Sequence, residues 1–258
     1  MTRRPPGPIA ILDPLCGRGT TLSTGLALGC DVAGVESEEK SVEAYGAFLR
    51  SYLRRKRLKH TVETSPVRRE GRSLGRRLDA TISPPDGGPP LELVVFTGDT
   101  RQSAALFGKR RFDAIVADAP YGVVHGSRSG AAAASVRAGD GSDRRGRGGR
   151  STRRTGTGRS AAGLLADALP VWAGQLKPGG ALGLSWNTYV ISRDQLLNLS
   201  AAAGLQPLDD GPYREFAHRV DSSIVRDILV AVVPGGSGGV PPVMNTAPSR
   251  SDPDPPRF

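Results

Sequence analysis

This 258-residue sequence reads as an α/β protein, a mostly parallel sheet with helices on both faces, and three observations lead there. Short apolar runs alternate with amphipathic stretches of helical length, the pattern of parallel strands joined by crossovers. A glycine turn, DPLCGRGTT over Asp13–Thr21, directly follows the first apolar run, and a second corner, DAPYG over Asp118–Gly122, directly follows the fourth. In a parallel sheet both corners fall at carboxyl ends of strands, where open α/β sheets bind ligands.

Ile9–Leu12 is the first predicted strand, and Thr20–Leu28 a helix with Leu22 and Leu26 on one face. Asp31–Val35 is the second strand. Ser37 is placed to cap the next helix, whose first turn carries Glu38 and Glu39 at the positive dipole end. Val42, Tyr45, Leu49 and Tyr52 form its buried stripe, and Arg54, Arg55, Lys56, Arg57 and Lys59 suit its negative end. His60–Asp79 is basic and weakly periodic, and SPPDGGPP over Ser83–Pro90 is a break. Leu93–Phe96 supplies the third strand, followed by Gly98 and Asp99, and Ala114–Ala117 the fourth. Leu164, Leu165, Ala168, Leu169, Trp172 and Leu176 predict a helix, kinked or restarted at Pro170, that stops at KPGG. Ala181–Trp186 is a fifth strand, and Ser192–Ala203 a helix with a Ser192/Gln195 capping box and Gly204 at its end. Leu205–Leu208 and Ile224–Val233 read as the last two strands, and no internal repeat is present.

One folded domain is expected over residues 9–233, with a basic segment at 54–90. Residues 1–8 and 234–258 are expected to be a disordered arm and tail, and 126–160 a flexible basic loop. That loop is Gly, Ser, Ala and Arg with hardly an apolar anchor, so burial cannot offset its ordering entropy. Lys and Arg exceed Asp and Glu by 35 to 25, a net charge of +10. The excess points to a polyanionic partner, since clustered cations gain affinity by releasing counterions from phosphates; a basic solvated surface is the plainer reading. Cys16 and Cys30 make no disulfide framework and cannot supply a zinc site without further ligands, which suits a cytoplasmic setting. MTRRPPGP lacks the apolar core of a signal peptide, and no apolar run approaches the roughly 20 residues of a membrane span.

Turn glycines let a backbone approach a ligand closely, so Gly17 and Gly19 fit beneath a cofactor while the following helix presents free amides. A nicotinamide enzyme would want a third glycine where Leu22 stands. Glu36, ending the second strand, is placed to accept from ribose hydroxyls, and Asp99, after the third, from an adenine amino group. Asp13 is expected to orient the turn and the donor's amino-acid end, and Cys16 to be a small packing residue. In the second corner Asp118 can accept protons from an exocyclic amine held in line with a sulfonium methyl, helped by the carbonyl of Ala119. Pro120 restrains Ala119 to extended geometry, and Tyr121 offers a stacking face for a base rotated out of its helix. No cysteine lies near this corner, which argues against carbon methylation through a cysteine adduct. Among the remaining residues, His125 and His218 are expected to satisfy hydrogen bonds near the pocket rim or last strands and His60 to sit in a basic face; Trp186 and Asn187, at the end of the fifth strand, are placed to border the acceptor site, with core packing the alternative for the tryptophan.

On DPLCGRGTT, on GVE at Gly34–Glu36, on GD at Gly98–Asp99 and on DAPYG, the chain resembles the class I S-adenosylmethionine-dependent methyltransferases, in particular the tRNA guanine-N2 methyltransferase family and its bacterial relatives. The resemblance spans roughly Ile9 to Val233. It implies a Rossmann-like, seven-stranded sheet with an antiparallel final strand, and S-adenosyl-L-methionine as cofactor. It places cofactor contacts at Asp13, Pro14, Cys16, Gly17, Gly19, Thr20, Glu36, Ser37, Asp99 and Thr100, and the catalytic corner at Asp118, Ala119, Pro120 and Tyr121. The implied activity is methylation of a guanine amino group in RNA, in particular tRNA. The alternatives are an adenine amino group in DNA or ribosomal RNA, a protein or small-molecule amine, and a shortened, inactive RNA-binding module. The family's acceptor motif is Asp-Pro-Pro-Tyr, from which Ala119 departs. Relatives also carry an RNA-binding domain ahead of the first strand, so RNA docking here is expected to fall to a partner or missing N-terminal domain, or to the basic segments around Arg50–Arg77 and Arg128–Arg159.

Overall fold

A computed structural model describes residues 8–69, 72–120 and 161–235. Tyr121, Gly122, His125, the loop at 126–160, the arm up to Gly7 and the tail from 236 lie outside the described residues. The elements run β1 (Ala10–Asp13), α1 (Thr20–Ala27), β2 (Asp31–Glu36), α2 (Glu39–Arg55), β3 (His60–Arg69), β4 (Arg72–Ile82), β5 (Leu91–Thr97), a 3-10 turn (Thr100–Gln102), α3 (Ser103–Phe107) and β6 (Phe112–Asp118). They continue with α4 (Ala161–Ala173), β7 (Leu176–Asn187), α5 (Arg193–Ala202), β8 (Gln206–Leu208), a second 3-10 turn (Gly211–Arg214), β9 (His218–Arg219) and β10 (Val225–Val232).

One sheet runs β3-β4-β5-β2-β1-β6-β7-β10-β8, with β9 paired to β10. The pairs β1 with β2, β2 with β5, β1 with β6 and β6 with β7 are parallel, and β10 is antiparallel to both β7 and β8. The expected Rossmann-like arrangement with an antiparallel last strand is therefore present, all seven expected strands included. From β1 the chain winds outward to β2 and β5, then returns to β6 on the other side, so the topological switch point lies between β1 and β6.

Residues alternate between faces along each strand, and the core divides accordingly. Ile11, Val32, Leu93 and Val95 pack with Leu22, Leu26, Val42, Tyr45, Leu49 and Leu53 of α1 and α2. On the other face Leu12, Ala33, Ile115, Leu182 and Leu184 pack with Leu165, Leu169, Trp172 and Leu196 of α4 and α5. Among the described residues no helix is long and apolar enough to cross a membrane.

Four local readings need correction. His60–Asp79 is not merely a basic stretch: it makes most of an antiparallel hairpin, β3–β4, that adds two strands beyond β5. Leu78, Ala80 and Ile82 are buried at period two, a strand signal hidden by the surrounding arginines. Ser37 does not cap α2; Glu38 holds that position, and the Ser37 hydroxyl donates to Glu36 Oε1 at 3.2 Å. KPGG does not end a helix, because α4 stops at Ala173 and KPGG lies inside β7, where Leu176 pairs with Phe112. The segment after Asp99 folds as the 3-10 turn and α3, for which no helix was expected. Elsewhere the expected caps are present: Ser192 Oγ accepts from Gln195 N at 3.3 Å, and Gly204 ends α5 at φ +85°.

Candidate functional site

Asp13 and Asp118 end neighbouring strands, and Glu36 ends β2 on the far side of β1. A cleft of about 600 Å³ opens over these ends, lined by Pro14 and Leu15 from the first turn, Glu36 and Ser37 after β2, Asp99 to Arg101 after β5, Asp118 and Pro120 after β6, and Leu164 of α4. The two sequence corners, about a hundred residues apart in the chain, thus face one crevice at the switch point.

Several candidate residues shape this wall rather than line it. Asp13 is 2% exposed, and its Oδ1 accepts from Leu15 N at 3.0 Å, which fixes the start of the turn. Burial pushes its carboxyl up to about 6, opposed by hydrogen bonds from Leu15 and Thr21. Cys16 packs over Gly34, where an added Cβ would lie 2.8 Å from the Cys16 sulfur, and burial pushes its thiol far above the ordinary range. It is a packing residue, as expected, and does not line the cleft. Gly17 and Gly19 sit in left-handed conformation at φ +51° and +80°. Only Gly17 has open space where a Cβ would go; at Gly19 a Cβ would meet the Tyr45 ring at 2.4 Å. Gly19 is therefore required by α2 packing beneath the turn, while Gly17 leaves its outer side clear. Thr20 begins α1 at the exposed surface, away from the cleft lining.

Glu36 secures the turn and keeps capacity for a ligand. Gly17 N donates to its Oε2 at 2.9 Å, and Glu38 N and Ser37 Oγ donate to its Oε1 at 2.7 and 3.2 Å. Since a carboxylate offers about four lone-pair sites, one direction on Oε2 remains for a hydroxyl. Asp99 accepts from Arg101 N at 2.9 Å, capping the 3-10 turn, and the Arg101 guanidinium grips both its oxygens. That grip holds the Asp99 carboxyl below its usual range. Thr100 is buried, and its Oγ1 accepts from Trp172 Nε1 at 3.0 Å, anchoring this wall to α4.

At the second corner the Asp118 side chain is half exposed, with Oδ2 3.7 Å from Arg226 Nη2 of β10. Ala119 N donates to Ser185 O at 2.8 Å, so the corner extends the sheet ladder before Pro120 turns into the cleft. Trp186 is buried with its Nε1 donating to Ile191 O, and Asn187 ties β7 to Ser223 and Val225, so neither borders the cleft. His60 and His218 bond to the nearby carbonyls of Leu58 and Phe216. Sequence reading missed Arg101 and Arg226. Arg101 carries a local signal, an arginine two residues after an acid that follows a strand. Arg226 carries none, because its approach to Asp118 depends on β10 folding back beside β7.

Neither a family model nor a curated protein matches this sequence. Solved structures do. The chain is similar to TrmN from Thermus thermophilus at 16% identity and TM-score 0.44, over 88% of this chain and 44% of that one. It is similar at 19% identity and TM-score 0.40 to the T. thermophilus 16S rRNA N2 G1207 methyltransferase RsmC, solved with AdoMet and guanosine, over 86% of this chain and 37% of that one. A TehB-like SAM-dependent methyltransferase from Corynebacterium glutamicum matches at 14% identity and TM-score 0.43, over 90% and 82% of the two chains. This chain accordingly spans less than half the length of the TrmN and RsmC chains it matches.

Proposed function

We infer that this chain is an S-adenosyl-L-methionine-dependent N-methyltransferase acting on the exocyclic amino group of guanine in RNA, in particular tRNA. One observation carries the reading: Pro14 and Leu15 of the first turn, Glu36, Asp99 and the Asp118 corner meet in a single cleft at the sheet's switch point. The residues present fit the donor. Glu36 retains a lone pair toward a ribose hydroxyl and Gly17 leaves the turn open to close approach, while Asp99, its oxygens held by Arg101, edges the cleft as part of its wall. The donor supplies an electrophilic methyl group on a sulfonium.

The chain's own residues prepare the nucleophile. An exocyclic amine is weakly nucleophilic because its lone pair is delocalised into the base, so its N–H bonds must be held by acceptors that draw the lone pair toward the methyl. Asp118, at the rim and half exposed, accepts one such bond and takes the proton released as the N–C bond forms and the S–C bond breaks. The Ala119 carbonyl accepts the second. Ala119 N donates to Ser185 O, which fixes the Asp118–Ala119 peptide, and Pro120 restricts Ala119 to extended backbone, so the direction of its carbonyl is set before the reaction begins.

Calorimetry with S-adenosyl-L-methionine and transfer of labelled methyl to RNA, followed by nucleoside mass analysis, test the proposal. We expect donor binding, label in N2-methylguanosine, and a loss of about 100-fold or more in kcat for Asp118→Ala with donor affinity unchanged. Label confined to protein, or full turnover by Asp118→Ala, would overturn it.

A further inference from the structure

The basic segment expected at 54–90 divides between opposite ends of the sheet. α2 leaves the carboxyl edge after β2 and runs back across the sheet, so Arg54, Arg55, Lys56, Arg57 and Lys59 gather near its amino edge, where His60 opens β3 opposite Ile82. β3 then returns toward the carboxyl edge, and β4 descends again beside β5.

Register fixes where the hairpin ends. Arg77 of β4 pairs with Phe96, next to the last residue of β5, and Gly75 lies against the Thr97 carbonyl, where a Cβ would approach to 2.8 Å. Beyond Arg76, β4 still extends back to Arg72, and Arg72 pairs with Arg69 of β3. Those four further residues carry the hairpin about 13 Å past the end of β5 at the rise of an antiparallel strand. Gly98 and Asp99, which follow β5, line the cleft. The overhang therefore stands beside the donor wall of the cleft, one strand spacing away.

Its composition is that of a phosphate-binding element. Residues 66–77 hold five arginines, Arg68, Arg69, Arg72, Arg76 and Arg77, against one glutamate. Two of these also brace the hairpin: Arg76 bridges to Glu39 and Glu43 of α2, and Arg77 pairs with Asp79 and stacks over Phe96. Arg68 is exposed. These pairs, and Arg50, which donates to Val62 O and Thr64 Oγ1, anchor the base of the hairpin.

We propose that the β3–β4 overhang is the docking element that holds the RNA backbone beside the cleft, whereas the equally basic end of α2 takes no part in productive binding. This rests on the methyltransferase reading only for the identity of the polyanion. Phosphates near the cleft mouth meet the overhang first, while the α2 end lies across the sheet from it.

The test measures binding of bulk tRNA by fluorescence anisotropy across a salt series, with donor affinity followed in parallel by calorimetry. Arg68→Gln/Arg69→Gln should weaken tRNA binding about ten-fold and lower the slope of log K against log salt by about two, leaving donor affinity unchanged. Arg54→Gln/Arg55→Gln should leave both unchanged. Near-wild-type affinity and slope in the overhang variant, an equal loss in the α2 variant, or no tRNA binding by the wild-type chain would each overturn the proposal, as would an acidic protein binding the overhang in preference to tRNA. Failure of the methyltransferase reading shows separately, as absent donor binding, and leaves the anisotropy result standing on its own.

Discussion

Asp13 is a buried carboxyl beneath the cleft, and its ionisation is opposed. Its carboxyl is buried at the end of β1, near Asp118 and Glu36, and its pKa rises from 3.8 to about 6. A raised carboxyl pKa means that the folded state holds the proton more tightly than the unfolded chain, so ionisation opposes folding. The penalty is absent below the unfolded value and complete above the folded one. Asp13→Asn keeps an oxygen to accept from Leu15, so it should be more stable than wild type by about 3 kcal/mol near pH 7.5. That gain should vanish near pH 4, and chemical denaturation at the two pH values reads the difference directly. Glu36 is the complementary case, a carboxylate whose bonds reach both the turn and the cleft. Glu36→Ala should weaken donor affinity roughly 10- to 100-fold, as expected for losing a charged hydrogen-bond acceptor, and calorimetry measures it.

The turn between β1 and α1 shows how one element answers two constraints at once. Gly17 and Gly19 share a left-handed backbone, but α2 crowds only the second. Gly17→Ala adds only backbone strain, of order 1 kcal/mol, whereas Gly19→Ala also drives a methyl into the Tyr45 ring and should cost about 3 kcal/mol. Urea unfolding of the two variants should give that order, and the reverse would show that Tyr45 moves aside freely. The 3-10 turn after β5 is tied in the same manner, by Trp172 to Thr100 and by Ser103 Oγ to Gln175 Oε1 at 2.6 Å. These buried bonds make α4 a support of the cleft wall.

Across the whole molecule, the +10 charge separates two kinds of binding. The proposed donor site rests on hydrogen bonds at contact range, to Glu36 above all, which salt screens little, so its affinity should change less than about two-fold between 50 and 200 mM salt. RNA affinity should fall steeply over the same range, since each neutralised phosphate releases counterions. Parallel titrations check this, and equal salt dependence would place the donor on the basic surface instead of in the cleft.

Much of this architecture was legible in the chain because it depends on neighbours in sequence. Ile9–Leu12 followed by DPLCGRGTT, and Ala114–Ala117 followed by DAPYG, state a strand and its corner within a few residues, and the Ser192/Gln195 cap closes within one helical turn. The β3–β4 hairpin was not legible, because β3 is an exposed edge strand and the arginines that precede Leu78 obscure the short alternation of Leu78, Ala80 and Ile82 in β4. The contact of Tyr45 with Gly19 and the approach of Arg226 to Asp118 are tertiary. Sequence thus determined which residues could serve as donor and acceptor groups at strand ends. Only the folded sheet decided which of them face the cleft and which hold it open, because that choice depends on packing between elements far apart in the chain.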